Sequence, residues 1–184
     1  MTRSRIAIIG GGHAGDEVAG QLRELGFESE IVLFDESQDR PYERPELSKG
    51  ALSSREIPET FWRRDNDFYQ RQRIEVRWSS RVTRVTPARE YVDVEDSDSA
   101  TERFSHVVLA TGMAPRQLHL PGVDAKAIHY LQSLKDLTRF RANLEKAARV
   151  AIVGGGFIGA EVAASLRSRG VEVTLIQQAE RLMP

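Results

Sequence analysis

Apolar positions in this 184-residue chain fall into short runs separated by polar stretches that carry glycine and proline. Ile6, Ile8 and Ile9 form a strand-length run, Val18, Leu22 and Leu25 recur at helical spacing, and Gly26 stops that helix. Ile31–Phe34 is a second buried run, so residues 5–36 are predicted to fold as strand, helix, strand. ESQDRPYERPELSKG follows, and its prolines forbid both a continuous helix and a central strand. A short helix is predicted around Asn66–Gln72. The segments VTRV, YVDV and TERFSHVVLATG predict a small meander that returns to a sheet strand at Val107–Leu109. Pro115 and Pro121-Gly122 mark a linker, Leu134–Ala147 predicts an exposed helix, and Arg149–Ile176 repeats the strand–helix–strand order. After VEVTLIQQ only AERLMP remains. One such unit lacks elements to cover its sheet, so the second unit is expected to be incomplete and to expose apolar surface.

Composition narrows the class. With 40% hydrophobic and 29% charged residues and a net charge of −1, the chain reads as an ordinary globular protein, without the basic field expected of a nucleic-acid partner. Its apolar runs are far shorter than the roughly 20 residues needed to span a bilayer. MTRSRIAIIG enters the first strand directly, leaving no room for a secretory signal, so a cytoplasmic location is expected. The absence of cysteine excludes disulfides, thiolate metal sites and a dithiol electron relay within these residues. His106, His119 and His129 lack metal-ligand spacing, and no metal site is expected; His13 is expected to pack.

The chemistry lies in a motif that occurs twice. G-x-G-x-x-G follows an apolar strand in RIAIIGGGHAGDEVAGQL, with Gly10, Gly12 and Gly15. It recurs in RVAIVGGGFIGAEVAASL, with Gly154, Gly156 and Gly159. At a strand-to-helix junction these glycines permit a tight turn, close approach to a pyrophosphate and close helix–strand packing, while the helix N-terminus presents N–H groups to the phosphates. Two copies imply two dinucleotide sites, one holding a redox nucleotide tightly and one exchanging it, which is the logic of a flavin reductase. A ribose-binding acid is expected about 20 residues past the glycines. Asp35 and Glu36 both stand there after the first motif; after the second stand Gln177-Gln178, with no carboxylate before Glu180 and with Arg181 nearby. NADH against NADPH stays open on these residues.

RPYERPELSKG, together with GGGHAGDEVA, LATGMAPR and GGGFIGAEVAA, resembles the FAD-dependent NAD(P)H ferredoxin reductases of oxygenase systems. That family also includes rubredoxin reductases and apoptosis-inducing-factor flavoproteins. The resemblance covers essentially the whole chain and matches the N-terminal part of the family. It implies an α/β, Rossmann-like FAD/NAD(P)-binding fold of three-layer ββα character with the second nucleotide unit incomplete. Residues 1–115 would be the first segment of the FAD-binding domain, 116–147 a linker and connecting helix, and 148–184 the start of the NAD(P)-binding domain.

By the same resemblance Gly10, Gly12, Ala14 and Gly15 would line the FAD pyrophosphate, and Glu36 rather than Asp35 would bind its ribose. Arg44 and Lys49 would lie along the flavin, Val82 would meet the adenine end through its backbone, and Ala110-Thr111-Gly112 would pass beside the cofactor. Gly154, Gly156, Ile158, Gly159 and Gln177 would serve NADH, with NADPH not excluded. Lys49 would pair with Glu161 as the catalytic pair, the cation stabilising the charge of reduced flavin and the carboxylate neutralising the lysine. The plain alternative is a surface lysine and a solvated first-turn glutamate.

The implied acceptor is a ferredoxin-type iron–sulfur protein, alongside a complementary chain or C-terminal half. Trp62-Arg63-Arg64 and the arginines from Arg71 to Arg89 would then be either its docking face or simply solvated. Glu46, Gln132 and Gln177 depart from the family pattern, which suggests altered affinity or redox tuning. A non-catalytic half-module that binds a nucleotide or a partner is the alternative function.

Overall fold

The structure, a computed structural model, describes residues 4–54 and 56–183. In chain order the elements are β1 (Arg5–Ile9), α1 (His13–Glu24), β2 (Glu30–Phe34), α2 (Gly50–Ser53), α3 (Phe68–Arg71) and β3 (Ile74–Arg77). Then come β4 (Val82–Pro87), β5 (Val92–Asp96), β6 (Thr101–Phe104), β7 (His106–Leu109), α4 (Leu134–Leu144), β8 (Arg149–Val153), α5 (Phe157–Ser168) and β9 (Glu172–Ile176). They form two compact units, residues 4–42 with 62–113, and residues 43–61 with 114–183.

In the first unit β3, β2, β1 and β7 make a parallel sheet in that order. Alternation along β1 and β2 sends Ile6, Ile8, Ile31 and Leu33 to one face, where Ala19, Val18 and Leu22 of α1 and Tyr69 of α3 cover them. Ala7, Ile9, Val32 and Phe34 face the other way, against Val94 and Phe104 of the antiparallel meander β4-β5-β6. Burial on both faces is why these strands read as unbroken apolar runs. The result is the expected sequence of layers: helix, parallel sheet, antiparallel sheet.

The predicted helix differs in one detail. Leu25 is exposed rather than part of the apolar stripe, because α1 ends at Glu24 and Gly26, at φ +83°, reverses the chain. Phe27 N–H then bonds Leu22 O at 2.9 Å and Gly26 N–H bonds Arg23 O at 3.0 Å, so Phe27 packs inward in place of Leu25.

In the second unit β8 and β9 pair in parallel. Val162, Ser165 and Leu166 of α5 are buried, as are Leu47, Ala51, Leu52 and Phe61 of the segment 43–61, which contains a 3-10 turn at Arg44–Ser48 and α2. The other sheet face is open, with Val153 and Ile176 exposed as expected. The helix predicted as exposed over Leu134–Ala147 ends at Leu144 and buries Leu137 and Leu144, because its apolar residues fall on one stripe. No helix among the described residues is long and apolar enough to cross a membrane.

Candidate functional site

At the first glycine loop the chain leaves β1 through Gly10 at φ +105°, where Gly10 N–H bonds Phe34 O at 2.8 Å. Two glycines are dictated by close approach. A Cβ at Gly10 would lie 2.2 Å from Ala110 O, and one at Gly15 would lie 1.8 Å from Gly10 O. α1 starts at His13 on a Gly12 cap that lacks a side-chain bond, and the first backward helical bond is Asp16 N–H to Gly12 O at 3.0 Å. The N–H groups of Ala14 and Gly15 lie at the helix start ahead of that first backward bond, the arrangement that receives a pyrophosphate. Ala110 continues β7 through a 2.8 Å bond to Ile9 O, and with Thr111 it walls the loop at Gly10; Gly112 turns the chain away at φ +70°.

The two acids after β2 have different surroundings. Asp35 accepts from Gly11 N–H and, at 2.7 Å, from Ser37 N–H, so it braces the loop. Glu36 is exposed and meets Arg81 at 3.0 Å. Val82, next to Arg81, packs its side chain into the core beneath the meander.

The second loop repeats the main backbone bonds of the first. Gly154 has φ +106° and bonds Ile176 O at 2.9 Å, a Cβ at Gly159 would lie 1.9 Å from Gly154 O, and Ala160 N–H bonds Gly156 O at 3.0 Å. Phe157 and Ile158 stand exposed at the start of α5. Gly155 N–H bonds Gln177 Oε1 at 2.7 Å, as Gly11 does Asp35.

Lys49 and Glu161, far apart in sequence, are brought together within the second unit, with Nζ 3.4 Å from Oε1. Ser48 Oγ donates to Glu161 Oε2 at 2.6 Å, and Ser165 Oγ donates to Ser48 O at 2.7 Å. Glu161 lies one turn into α5, beyond the first turn. The Ser48 hydrogen bond, seconded by Lys49, holds its carboxyl below the usual range. Ser48 and Ser165 carry no mark of this role in the sequence; the only clue is that Ser48 lies inside the R-P-x-L-S-K stretch. Arg44 donates to Gln132 O at 2.9 Å, just before the capping box of Ser133 and Asp136 at α4. Glu46 lies against Gly50, where a Cβ would fall 2.7 Å from its Oε2.

Most of the arginines considered as a docking face turn inward or pair, whereas Arg73 and Arg89 are exposed. Asp16, fully buried, accepts from Arg63 Nε at 2.9 Å, from Arg64 Nε at 3.2 Å and from Tyr69 Oη at 2.7 Å. Glu17 takes the outer nitrogens of both arginines. Burial, then the Asp16 bond, pushes the Tyr69 hydroxyl pKa upward. Arg71, Arg77, Arg81 and Arg84 each face a carboxylate. His13 is exposed, with its ring at Arg63 Nη1, rather than packed.

Both loops thus fit a pyrophosphate, with backbone N–H groups at a helix start and no space for a larger residue at Gly15 or Gly159, although the wall that crowds Gly10 has no counterpart at Gly154. Known proteins agree with this geometry. The chain is 41% identical over 180 residues to the ferredoxin–NAD(+) reductase component of the p-cumate 2,3-dioxygenase system of Pseudomonas putida, covering 98% of this chain and 44% of that protein. It is 38% identical over 184 residues to the corresponding anthranilate 1,2-dioxygenase component of Burkholderia cepacia, covering 100% and 45%. Among solved structures, the ferredoxin reductase for the CYP199A2 system from Rhodopseudomonas palustris matches with TM-score 0.90 and 33% identity, over 98% of this chain and 44% of that one. The reductase in the covalent putidaredoxin reductase–putidaredoxin complex matches with TM-score 0.88 and 34% identity, over 98% and 43%. The chain spans less than half the length of these relatives. Residues 4–184 match the family described as pyridine nucleotide-disulphide oxidoreductase, and the chain belongs to that family.

Proposed function

We propose that the chain forms the FAD-binding portion and the opening of the NAD(P)H-binding portion of a ferredoxin reductase. It takes electrons from NADH or NADPH and delivers them to a ferredoxin-type iron–sulfur protein. The observation that carries this reading is one loop geometry built twice, at Gly10–Gly15 and at Gly154–Gly159. In this reading residues 1–115 serve FAD, 116–147 connect, and 148–184 begin the nicotinamide nucleotide domain.

When bound, FAD supplies the conversion between two-electron and one-electron transfer. The residues of this chain bind and tune. Gly10, Gly12, Ala14 and Gly15 offer backbone to the pyrophosphate, Asp35 braces their loop, and Glu36 takes the ribose hydroxyls. Ala110, Thr111 and Gly112 wall the site, and Val82 offers its backbone to the adenine end. Arg44 and Lys49 serve the flavin. The Lys49 charge stabilises negative charge that develops on reduction, and Glu161, kept ionised by Ser48, orients that lysine. Gly154, Gly156, Ile158 and Gly159 receive the nicotinamide nucleotide.

Reconstitution with FAD tests the reading. A yellow, stoichiometric complex that reduces an artificial dye with NADH or NADPH is expected. Protein that stays colourless at saturating FAD refutes it, and FAD uptake without turnover leaves the half-module function instead.

A further inference from the structure

We propose that the second nucleotide loop lacks the charge filter that turns away a 2′-phosphate, through Gln177 and Gln178, and binds NADPH as readily as NADH. The inference rests on the assignment of residues 148–184 to a nicotinamide nucleotide and names the form of nucleotide that site takes.

The first unit provides an internal reference. Ile9 pairs with Phe34 as Val153 pairs with Ile176. Gly10 N–H bonds Phe34 O and Gly154 N–H bonds Ile176 O, at 2.8 and 2.9 Å. The next residues correspond as well, Asp35 bracing Gly11 N–H and Gln177 bracing Gly155 N–H. Asp35 and Gln177 are half-buried, and Glu36 and Gln178 are exposed. Each carboxylate of the first loop, Asp35 and Glu36, is therefore replaced by a neutral amide in the second.

That replacement acts on one part of a dinucleotide. A carboxylate past the second strand accepts hydrogen bonds from ribose hydroxyls and repels a phosphate on the 2′-oxygen. An amide still accepts through its oxygen, adds donors through its nitrogen, and repels nothing. Gln177 has its oxygen engaged by Gly155 N–H, and its other polar group, the NH2, is a donor rather than an acceptor. The charge pattern extends past the pair. Residues 35–39 hold three acids, Asp35, Glu36 and Asp39, and no base, whereas residues 177–181 hold one acid, Glu180, followed directly by Arg181. The residues past the second strand thus favour a dianionic substituent more at the second loop than at the first.

Calorimetric titration of the FAD-loaded protein with NAD+ and with NADP+ tests this. Dissociation constants within about threefold of each other are expected. Introducing Gln177→Glu with Gln178→Glu recreates the acidic pattern of the first loop. It should weaken NADP+ relative to NAD+ by at least tenfold, equivalent to about 1.4 kcal/mol. NAD+ binding at least tenfold tighter than NADP+ by the unaltered protein overturns the inference and leaves the nucleotide assignment standing. So does a double variant that still binds NAD+ with an unchanged ratio. Failure of both nucleotides to bind the unaltered protein overturns the nucleotide assignment itself, and the inference with it.

Discussion

Alanine at Gly15 would place a methyl carbon 1.8 Å from the Gly10 carbonyl oxygen and 3.2 Å from Ile8 Cγ2. Real Cβ atoms essentially never come within 3.0 Å of such a neighbour, so the loop must open by more than 1 Å. Ile8 sits fully buried in the central strand and cannot yield, which leaves the loop and the start of α1 to move. Overpacking of this kind costs about 1–3 kcal/mol. Its relief displaces the N–H groups offered to the pyrophosphate, so most of the cost reaches the affinity, as about a five- to 150-fold loss. Gly159 is the matched control, since its alanine would lie 1.9 Å from Gly154 O. Gly15→Ala should weaken FAD, read by quenching of flavin fluorescence on titration, whereas Gly159→Ala should retain FAD and weaken NAD(P)+, read by calorimetry. Gly15→Ala protein that binds FAD within twofold of the unaltered protein, or Gly159→Ala protein that loses FAD while remaining folded, would refute the assignment of the two loops.

Three further outcomes follow from the ionised groups. Asp16→Asn keeps a partner for Tyr69 but strands two arginines; because Glu17 still binds both, the loss should sit near the low end for broken buried pairs, about 3 kcal/mol, and urea unfolding showing less than about 1 kcal/mol would contradict it. Ser48→Ala removes the main group holding Glu161 low, so the carboxyl should titrate at higher pH. An NMR titration of Glu161 that does not move would exclude Ser48 as the cause. Glu102 is also held low, by Arg77 first and then Arg5. Its contribution is therefore full above the ordinary glutamate value of about 4.3 and disappears as pH falls through its lower folded value. Glu102→Gln should cost about 1–2 kcal/mol at neutral pH and flatten the acid decline, and parallel stability–pH curves for the two proteins would count against the pairing.

What could be read from the chain was local. Gly10, Gly12 and Gly15 announce their loop because strand, turn and helix lie within one short stretch, and the unbroken apolar runs of β1 and β2 foretell a sheet buried on both faces. What could not be read depends on partners remote in sequence. Asp16 looks like an ordinary first-turn acid and Arg63-Arg64 like a basic surface, until residues 47 and 48 positions apart meet as one buried network. Asp35 and Glu36 are adjacent acids, and only the direction of each side chain separates the one that braces the loop from the exposed one that meets Arg81. The Lys49–Glu161 pair followed from resemblance, but Ser48, which also grips Glu161 from 113 positions away, did not.

The placement of residues 43–61 has a consequence for how the chain is made. This segment interrupts the first unit in sequence, yet Ser48 is gripped by Ser165, 117 residues later, and Arg169 likewise holds the Leu52 carbonyl across 117 positions. During synthesis Leu47, Ala51 and Leu52 emerge long before α5, so an apolar excursion must stay uncovered while the surrounding strands assemble. The parallel sheet can close once β7 appears, with the excursion left as an open loop. The apolar residues of the loop thus gain their α5 partners only after the strands of the first unit have been made.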